Sequence, residues 1–564
     1  MTPSHAPFES SFPHTVFKGK YPFTPDEDWS GCAQRVVSNV LTGLQSAPNA
    51  HKVSTADASS RLYGLINNRM FIPGGRYLYG SGRPFHQVNN CLLLRAEDTR
   101  EGWADLKYKA MMALMTGAGI GVYYGDIREA NARVARTGGK SSGPLALMDA
   151  VDRDGVAAVQ GGDRRSAVWA GLSWQHPDIL EFIVQKDWPQ WIKDALQRRN
   201  DGDPEYTKFH APMEGTNISV CLDDEFFDAY ASELHSRHVL AHEVYNMTVE
   251  KMVTTGEPGF SIDIGENSQE VARNACCEVV TADDSDVCNL GSVVLPKFHS
   301  PEQFGAAVRD AVLFLTAGSL YSDVSYQKVA DVREKNRRLG LGIIGVHEFC
   351  LLHGVKYGTG ASFEVLEPYM REYDRALEHA NDWQDKLRIS RSVAATAIAP
   401  NGTIGILAES TPSGDPLYST ARERAVITAS PDGDKRTVHV VVDPVAKRLV
   451  EQGVDPDSIE DAYSLALQPE RRLAMQAYLQ SHVDQAVSST VNLPHVMNDP
   501  QEQRAFGDLL IEYLPKLRGI TAYPDGARAG QPLKPIPLKY ALEHEGETWI
   551  ESVEETCSGA ICGV

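Results

Sequence analysis

The segment Asn274-Ala275-Cys276-Cys277-Glu278 sets an amide, a thiol and a carboxylate at alternating positions. In an extended segment or tight loop, residues i, i+2 and i+4 can point the same way. Asn274, Cys276 and Glu278 would then meet one small ligand together. A carboxylate takes a proton, an amide orients hydroxyls, and a sulfur exchanges electrons or hydrogen atoms. Taken alone, the pentapeptide also describes a buried cysteine in a loop. The chain holds nine cysteines: Cys32, Cys91, Cys221, Cys276, Cys277, Cys288, Cys350, Cys557 and Cys562. An odd number scattered through a long chain is not a secreted disulfide framework. No CxxC pair and no Cys/His grouping has zinc spacing, so no metal site is expected. The thiols are inert core residues or redox groups. Cys557 and Cys562 lie near the C-terminus with Ser and Gly between them. A disulfide closing so short a loop stabilises little. A mobile dithiol there suits exchange with another disulfide.

The elements that must position these groups belong to a chain of 564 residues. That length implies three or four domains, or one large barrel with additions. A hydrophobic fraction of 42% and a charged fraction of 23% fit a soluble globular protein. The net charge of −21 argues against DNA or RNA as the main partner. It leaves small nucleotides open, since a few arginines and backbone N–H groups bind those. No run approaches the 18 or so apolar residues that span a membrane. The N-terminus lacks a basic region followed by an apolar one. A cytoplasmic protein without a membrane partner is expected.

Residues 1–88 read as a short helical region, broken at Ile72-Pro-Gly-Gly75 and Tyr79-Gly-Ser-Gly82. Asn90 and Cys91 then sit where a polar turn enters a buried strand. Asp98-Thr99 can cap a helix beginning near Arg100, with Trp103, Leu106, Ala110 and Leu114 as its apolar stripe. Gly117, Gly119 and Gly121 precede the next strand, where glycines let the backbone approach a ligand. The order helix, glycines, strand reverses the dinucleotide fingerprint, which excludes a Rossmann site. Thr216–Leu222 reads as a half-buried strand. Tyr245, Val249, Met252 and Val253 mark a helix that stops at Gly256. Met370, Tyr373, Leu377 and Ala380 lie on one face of a long helix. Residues 394–399 form a β-rich run entering Pro400-Asn401-Gly402-Thr403-Ile404, a strand–loop–helix order that binds phosphate on N–H groups at the helix start. Tyr523-Pro-Asp-Gly526 reads as a turn. From about Gln531 the chain loses regular pattern and becomes acidic. The alternation of strand and helix predicts one α/β body over 89–530 with parallel strands, followed by a flexible tail over 531–564.

In order along the chain come Asn90-Cys91, Gly119-Ile-Gly121, Ser142-Gly-Pro144, Arg164-Arg165-Ser166-Ala167, Asn217-Ile-Ser-Val220, Gly256-Glu-Pro-Gly259, Asn274-x-Cys276-x-Glu278, Cys288-Asn-Leu290, Asn336-Arg-Arg-x-Gly340, Pro400-x-Gly-Thr403 and Cys557-x4-Cys562. Each is weak alone. Together they resemble the catalytic chain of ribonucleotide reductase over about residues 70 to 564. The resemblance implies a ten-stranded α/β barrel with Cys276 on a central finger loop. It implies thiyl-radical chemistry at Cys276, with Glu278 as general base and Asn274 holding the ribose hydroxyls. Cys91 and Cys288 would be the reducing thiols, re-reduced by Cys557 and Cys562, and Cys277 would point away. Substrate would lie on Asn90, Gly119, Pro400, Asn401, Gly402, Thr403 and Ile404. An allosteric deoxynucleotide or ATP effector would be held by Asp98 and Arg128, with the loop of Gly161, Gly162 and Arg164 relaying its identity.

Reductases of this family differ in how the radical is made. Class I chains receive it through two adjacent tyrosines near the C-terminus, and this chain has only Tyr523 there. Tyr123-Tyr124 lies on an early strand and reads as core packing. Gly402 also stands where class I chains typically carry glutamate. No C-terminal glycyl-radical segment of class III is visible. The chain therefore resembles class II, in which adenosylcobalamin supplies the radical. The alternative is a class I-like subunit that needs a metal-bearing partner. Two more distant readings are a non-catalytic nucleotide-binding regulator and a thiol oxidoreductase using the tail alone. The N-terminal region is too short for the family's ATP-binding regulatory domain. No long insertion separates Cys91 from Ser142, which implies a homodimer. The expected partners are a ribonucleotide di- or triphosphate and a thioredoxin-like reductant.

Overall fold

The computed structural model describes residues 8, 11–135, 138–158, 167–200, 203–428, 435–525 and 533–551. Its strands are β1 (Phe71–Pro73), β2 (Cys91–Arg95), β3 (Gly119–Tyr123), β4 (Val168–Ser173), β5 (Thr216–Leu222), β6 (Gly259–Ile262), β7 (Ala272–Arg273), β8 (Val280–Thr281), β9 (Asp286–Val294), β10 (Leu339–Ile344), β11 (Ala421–Thr428), β12 (Lys435–Val442), β13 (Thr490–Leu493), β14 (Gly519–Pro524), β15 (Leu533–Pro535) and β16 (Thr548–Glu551).

Strands β2 to β6 run side by side and parallel, each crossover carrying helix. A second parallel set comprises β9, β10, segment 394–399, β13 and β14. Here β10 pairs with β9, Leu341 bridges Thr396, Ile398 bridges Val487, and β13 pairs with β14. The two sets meet antiparallel, β2 against β9 and β6 against β14. Ten strands, counting segment 394–399, thus close a barrel. β1 adds antiparallel to β9 outside the ring. The expected single parallel body is therefore two parallel halves facing opposite ways. Alternating strands and helices dictate local parallel pairing, but the two antiparallel seams join strands far apart in sequence.

Strand β5 is buried at every position but Asn217, not half-buried as its pattern suggests. Helices cover the outside of a parallel sheet, so both faces of its strands are enclosed. The Arg100–Leu114 helix begins as expected, with the Thr99 side chain accepting from Gly102 N. The His238–Thr255 helix ends at Gly256 with φ of 82°. The long helix expected through Met370 and Ala380 is two helices, Gly360–Tyr373 and Ala376–Leu387. They part at Asp374, whose carboxylate takes the His482 ring at 2.9 Å. The N-terminal helices share one apolar core with the buried Pro301–Tyr321 helix and β10, through Phe17, Val36, Leu62 and Tyr77.

Tyr523 lies within β14, so the strand continues where a turn was expected. Regular structure also extends past Gln531. β15, the Leu538–Glu543 helix and β16 build onto the β11–β12 hairpin, giving a four-stranded sheet in the order β15-β11-β12-β16 with its own small core. Its strands are contributed by segments a hundred residues apart, so no local pattern announces it. No helix among the described residues is long and apolar enough to cross a membrane.

Candidate active site

The β7–β8 hairpin is a finger inside the barrel. A Cβ on Gly121 would collide with the Arg273 carbonyl oxygen, and one on Gly119 would sit 3.2 Å from Ala275 Cβ. The glycines of β3 therefore admit the finger, and Gly119 lies against its tip. From Arg273 to Ala275 the finger climbs from the middle of β3 toward its start. That barrel end is also where β9, segment 394–399, β13 and β14 finish. The tip is closed by Cys277 N donating to Asn274 O at 3.1 Å, and Ala486 N donates to Glu278 O at 3.0 Å.

Two buried thiols face each other beside this tip. Cys91 on β2 and Cys288 on β9 are register partners. Directly opposed residues have Cβ atoms about 4.5–5.5 Å apart, a small adjustment from the separation of about 3.5–4.5 Å in a disulfide. Burial is the largest cause pushing both thiols well above their ordinary range, so both stay protonated. Asn274 is buried and its orientation is fixed. Its Oδ1 accepts from Val279 N at 2.9 Å and its Nδ2 donates to Cys91 Sγ at 2.9 Å. Glu278 is also buried, and its Oε2 has no hydrogen-bond partner among the described residues. Burial raises its carboxyl to about 7, against the lowering effect of Asn274. Cys276 is exposed at the tip. Cys277 adopts a left-handed φ of 65° and turns into the apolar cluster of Cys91, Trp169 and Cys221, where burial pushes its thiol up to about 12.

Buried charges hold the finger's base. Arg273 is fully buried and donates to Asp263 at 2.7 Å and to Ile262 O at 3.0 Å. Arg518 reaches Asp263 at 3.4 Å and Glu270 at 3.0 Å. Across the hairpin, Thr281 Oγ1 and Arg338 both donate to Asp286, at 2.8 and 3.0 Å. Buried charges are tolerable only when paired and hydrogen-bonded in this way. Arg273, Asp263 and Arg518 went unread in the sequence, because their partners lie on three separate segments. The only available signal was a charged residue at the edge of an apolar strand run.

At the same barrel end, Asn401 takes a left-handed φ of 57° at the start of the Gly402–Ala408 helix. Its Nδ2 donates to Ser292 Oγ at 2.9 Å. The first N–H groups of a helix have no partner within it, which leaves those of Gly402, Thr403 and Ile404 directed at the mouth. Pro400 and Gly402 are exposed, and Ile404 is buried. Asn90 presents a buried Oδ1 with no partner among the described residues, beside Gly74. Tyr418, Tyr463, Asn492, Tyr523 and Asp525 line a narrow hollow at the ends of β13 and β14, with the Tyr418 and Tyr463 hydroxyls 2.6 Å apart. Asp98 and Arg128 are elsewhere, past the opposite ends of β2 and β3, where they pair with each other at 2.6 Å. Gly161, Gly162, Arg164, Cys557 and Cys562 lie outside the described residues. Among the described residues no group of three or more His, Cys, Asp or Glu side chains could hold a metal ion.

A ten-stranded barrel threaded by a finger with a thiol at its tip, beside a cross-strand thiol pair and a near-neutral carboxylate, defines a redox enzyme of the ribonucleotide reductase type. The model of the ribonucleotide reductase barrel domain matches residues 89–380 and 369–511, and the chain belongs to this family. It is 26% identical over 540 residues to a vitamin B12-dependent ribonucleoside-diphosphate reductase of Mycobacterium tuberculosis, covering 85% of this chain and 74% of that one. It is 27% identical over 492 residues to a putative adenosylcobalamin-dependent ribonucleoside-triphosphate reductase of Mycobacterium phage D29, covering 78% of this chain and 66% of that one. Among solved structures, the class Id ribonucleotide reductase alpha subunit of Actinobacillus ureae shares the fold. Its TM-score is 0.70 at 15% identity, covering 92% of this chain and 97% of that chain.

Proposed function

We propose that this chain reduces ribonucleotides to 2′-deoxyribonucleotides by radical chemistry started at Cys276 and initiated by adenosylcobalamin. The observation that carries the reading is the convergence of Cys276, Glu278 and Asn274 on the register-paired Cys91 and Cys288. With the phosphates held on the N–H groups of Gly402, Thr403 and Ile404, beside Asn90 and Asn401, the ribose lies over the finger tip. A sulfur radical on Cys276 removes the 3′-hydrogen. Glu278, balanced near neutrality, takes the 3′-hydroxyl proton, and Asn274 holds the hydroxyls in line. The 2′-hydroxyl leaves as water with a proton from the Cys91–Cys288 pair. That pair supplies two electrons and ends as a disulfide, and Cys276 regains its radical as the 3′-hydrogen returns. Both thiols are held protonated by burial, as hydrogen donors must be. Cys557 and Cys562 then reduce the disulfide by thiol exchange, and a thioredoxin-like protein reduces them in turn.

The cofactor, when bound, supplies an organic radical by breaking its cobalt–carbon bond. An exposed Cys276 is accessible to so large a group. Tyr418, Tyr463, Asn492 and Tyr523, aromatic and amide side chains at the same mouth, are the residues that would hold it. Those tyrosines also favour the second reading, a class I-like chain fed by a radical-generating partner. The single Tyr523 of the sequence has two tyrosine neighbours in space. Purified chain with a ribonucleotide and a dithiol, assayed with and without adenosylcobalamin, separates the two. Deoxyribonucleotide formed only with the cofactor supports the first. Formation that needs an added metal-bearing partner and no cobalamin supports the second.

The effector reading places a deoxynucleotide or ATP at Asp98 and Arg128, with residues 161–164 relaying its identity, and the site completed by a second copy of the chain. Supporting it, the paired helices Arg100–Leu114 and Gly143–Ala157 expose Tyr108 and Val156, with Met115 exposed just past the end of the first. Tyr108→Glu is expected to convert a homodimer to monomer in light scattering at micromolar concentration, because a charge at the centre of an apolar contact is left desolvated. A wild-type chain that is monomeric with effector present would refute the dimer.

A further inference from the structure

The four-stranded sheet β15-β11-β12-β16 has two unlike faces. One packs Ala421, Val440 and Val442 with Val445, Leu449 and Ala541 into an apolar core. Register places Arg422 opposite Val441 and Arg424 opposite His439 on the other face, since alternate residues of a strand share a face. The described residues beside them on that face are Thr437, Pro535 and Thr548. None is acidic. Glu423, between the two arginines, belongs to the other face, where Lys534 meets it at 3.3 Å.

Both guanidinium groups lack adequate partners. The nearest carboxylate to Arg422 is Asp443 at 3.7 Å. That carboxylate already caps the Pro444–Glu451 helix through Val445 N. Arg422 Nε is buried with no partner among the described residues. The Arg424 side chain makes no hydrogen bond and no ion pair among the described residues, and its guanidinium lies 4.7 Å from the Phe12 ring centre. Burial and the Arg422 charge push Arg424 down to about 10, and burial with the Arg424 charge pushes His439 down. Adjacent cations in such surroundings destabilise a fold unless an anion completes them.

The location supplies the anion. Twelve residues separate the end of the Gly402–Ala408 helix from the sheet's first strand, β11. The Ser11–Lys20 helix, which brings Phe12 to Arg424, packs on that same Gly402–Ala408 helix. On the other side, Arg422 acts electrostatically on Tyr418 in the mouth hollow. We infer that Arg422, Arg424 and His439 form a second oxyanion site at the mouth, which takes a phosphate group of a ligand seated there. Two planar forks about 7 Å apart along one strand suit bidentate capture of a tetrahedral oxyanion. The group is the distal phosphate of a nucleotide polyphosphate or the phosphodiester of a cobalamin. The site is argued from the sheet, and these two sources rest on the ribonucleotide reductase reading.

The test titrates the full chain with inorganic tripolyphosphate by calorimetry, comparing wild type with Arg422→Gln and Arg424→Gln, and records each Tm without ligand. Tripolyphosphate should bind wild type and lose at least about tenfold in affinity in either variant. Ligand-free Arg424→Gln should be no less stable than wild type, because a poorly compensated cation has been removed. Unchanged affinity in both variants overturns the site. So does an Arg424→Gln protein that is destabilised yet binds tripolyphosphate as wild type does. CTP and cyanocobalamin titrations separate the sources. A loss confined to CTP assigns the distal phosphate, and a loss confined to the cobalamin assigns the phosphodiester. Equal binding of both ligands to all three proteins overturns the proposal. Tripolyphosphate binding needs no turnover, so a chain that binds it through Arg424 but reduces no ribonucleotide keeps the site and loses the functional reading.

Discussion

Cys276→Ser is expected to lower deoxyribonucleotide formation by at least about 10⁴-fold, the scale on which loss of a reacting group falls. A hydroxyl cannot take the place of the thiol, because an O–H bond is too strong to yield an oxygen radical reversibly. Cys276 is exposed, so its substitution should leave Tm unchanged within the small range of surface changes. Cys277→Ser gives the contrast. Its thiol is turned into an apolar cluster and held protonated by burial. That variant should keep turnover within a few-fold of wild type and lose stability instead. Product formation with cofactor and dithiol, read beside thermal unfolding, checks both. Wild-type turnover in Cys276→Ser would remove the thiol from the mechanism and with it the radical reading.

Glu278→Gln should lower kcat by about 10² to 10⁴, the usual contribution of a positioned general base. Because the carboxyl is raised to about 7, wild-type kcat should climb with pH through that value as the basic form appears, and the variant should lack this limb. Stability moves the other way. The folded-state value lies above the ordinary 4.5, so the protonated group's contribution is fully present below about 4.5 and is lost as pH rises through about 7. At pH 8 the wild type therefore carries a buried charge that glutamine does not. Glu278→Gln should be more stable there by something on the order of 2 kcal/mol, and indistinguishable from wild type at pH 4. A variant that loses activity without gaining stability at pH 8 would mean that the carboxylate has a cationic partner, contrary to its buried, unpartnered Oε2.

Much of this was legible in residue order. The alternation in Asn274, Cys276 and Glu278 is a property of extended backbone, and the helix boundaries at Thr99 and Gly256 follow from local capping chemistry. The glycines of β3 announced a close approach of backbone. What approaches is the finger, through Arg273 and Ala275, which no spacing rule names. The half-burial expected of β5 failed because pattern reports one face at a time, while a barrel strand is enclosed on both.

By itself the sequence determined the chemistry available to this protein: which thiols, which carboxylate, which amide, and a glycine–hydroxyl turn that opens a helix at residues 400–404. Those depend on residue identity and on interactions within a few positions along the chain. The tertiary structure alone decided that Cys91 and Cys288 stand opposite each other, that Glu278 is buried far enough to sit near neutrality, and that Tyr418, Tyr463 and Tyr523 share one hollow. The same holds for the second sheet that brings Arg422, Arg424 and His439 together. Each of these depends on strands paired across some 20 to 200 residues and on the exclusion of water. Long-range register and desolvation are set only when the whole barrel closes.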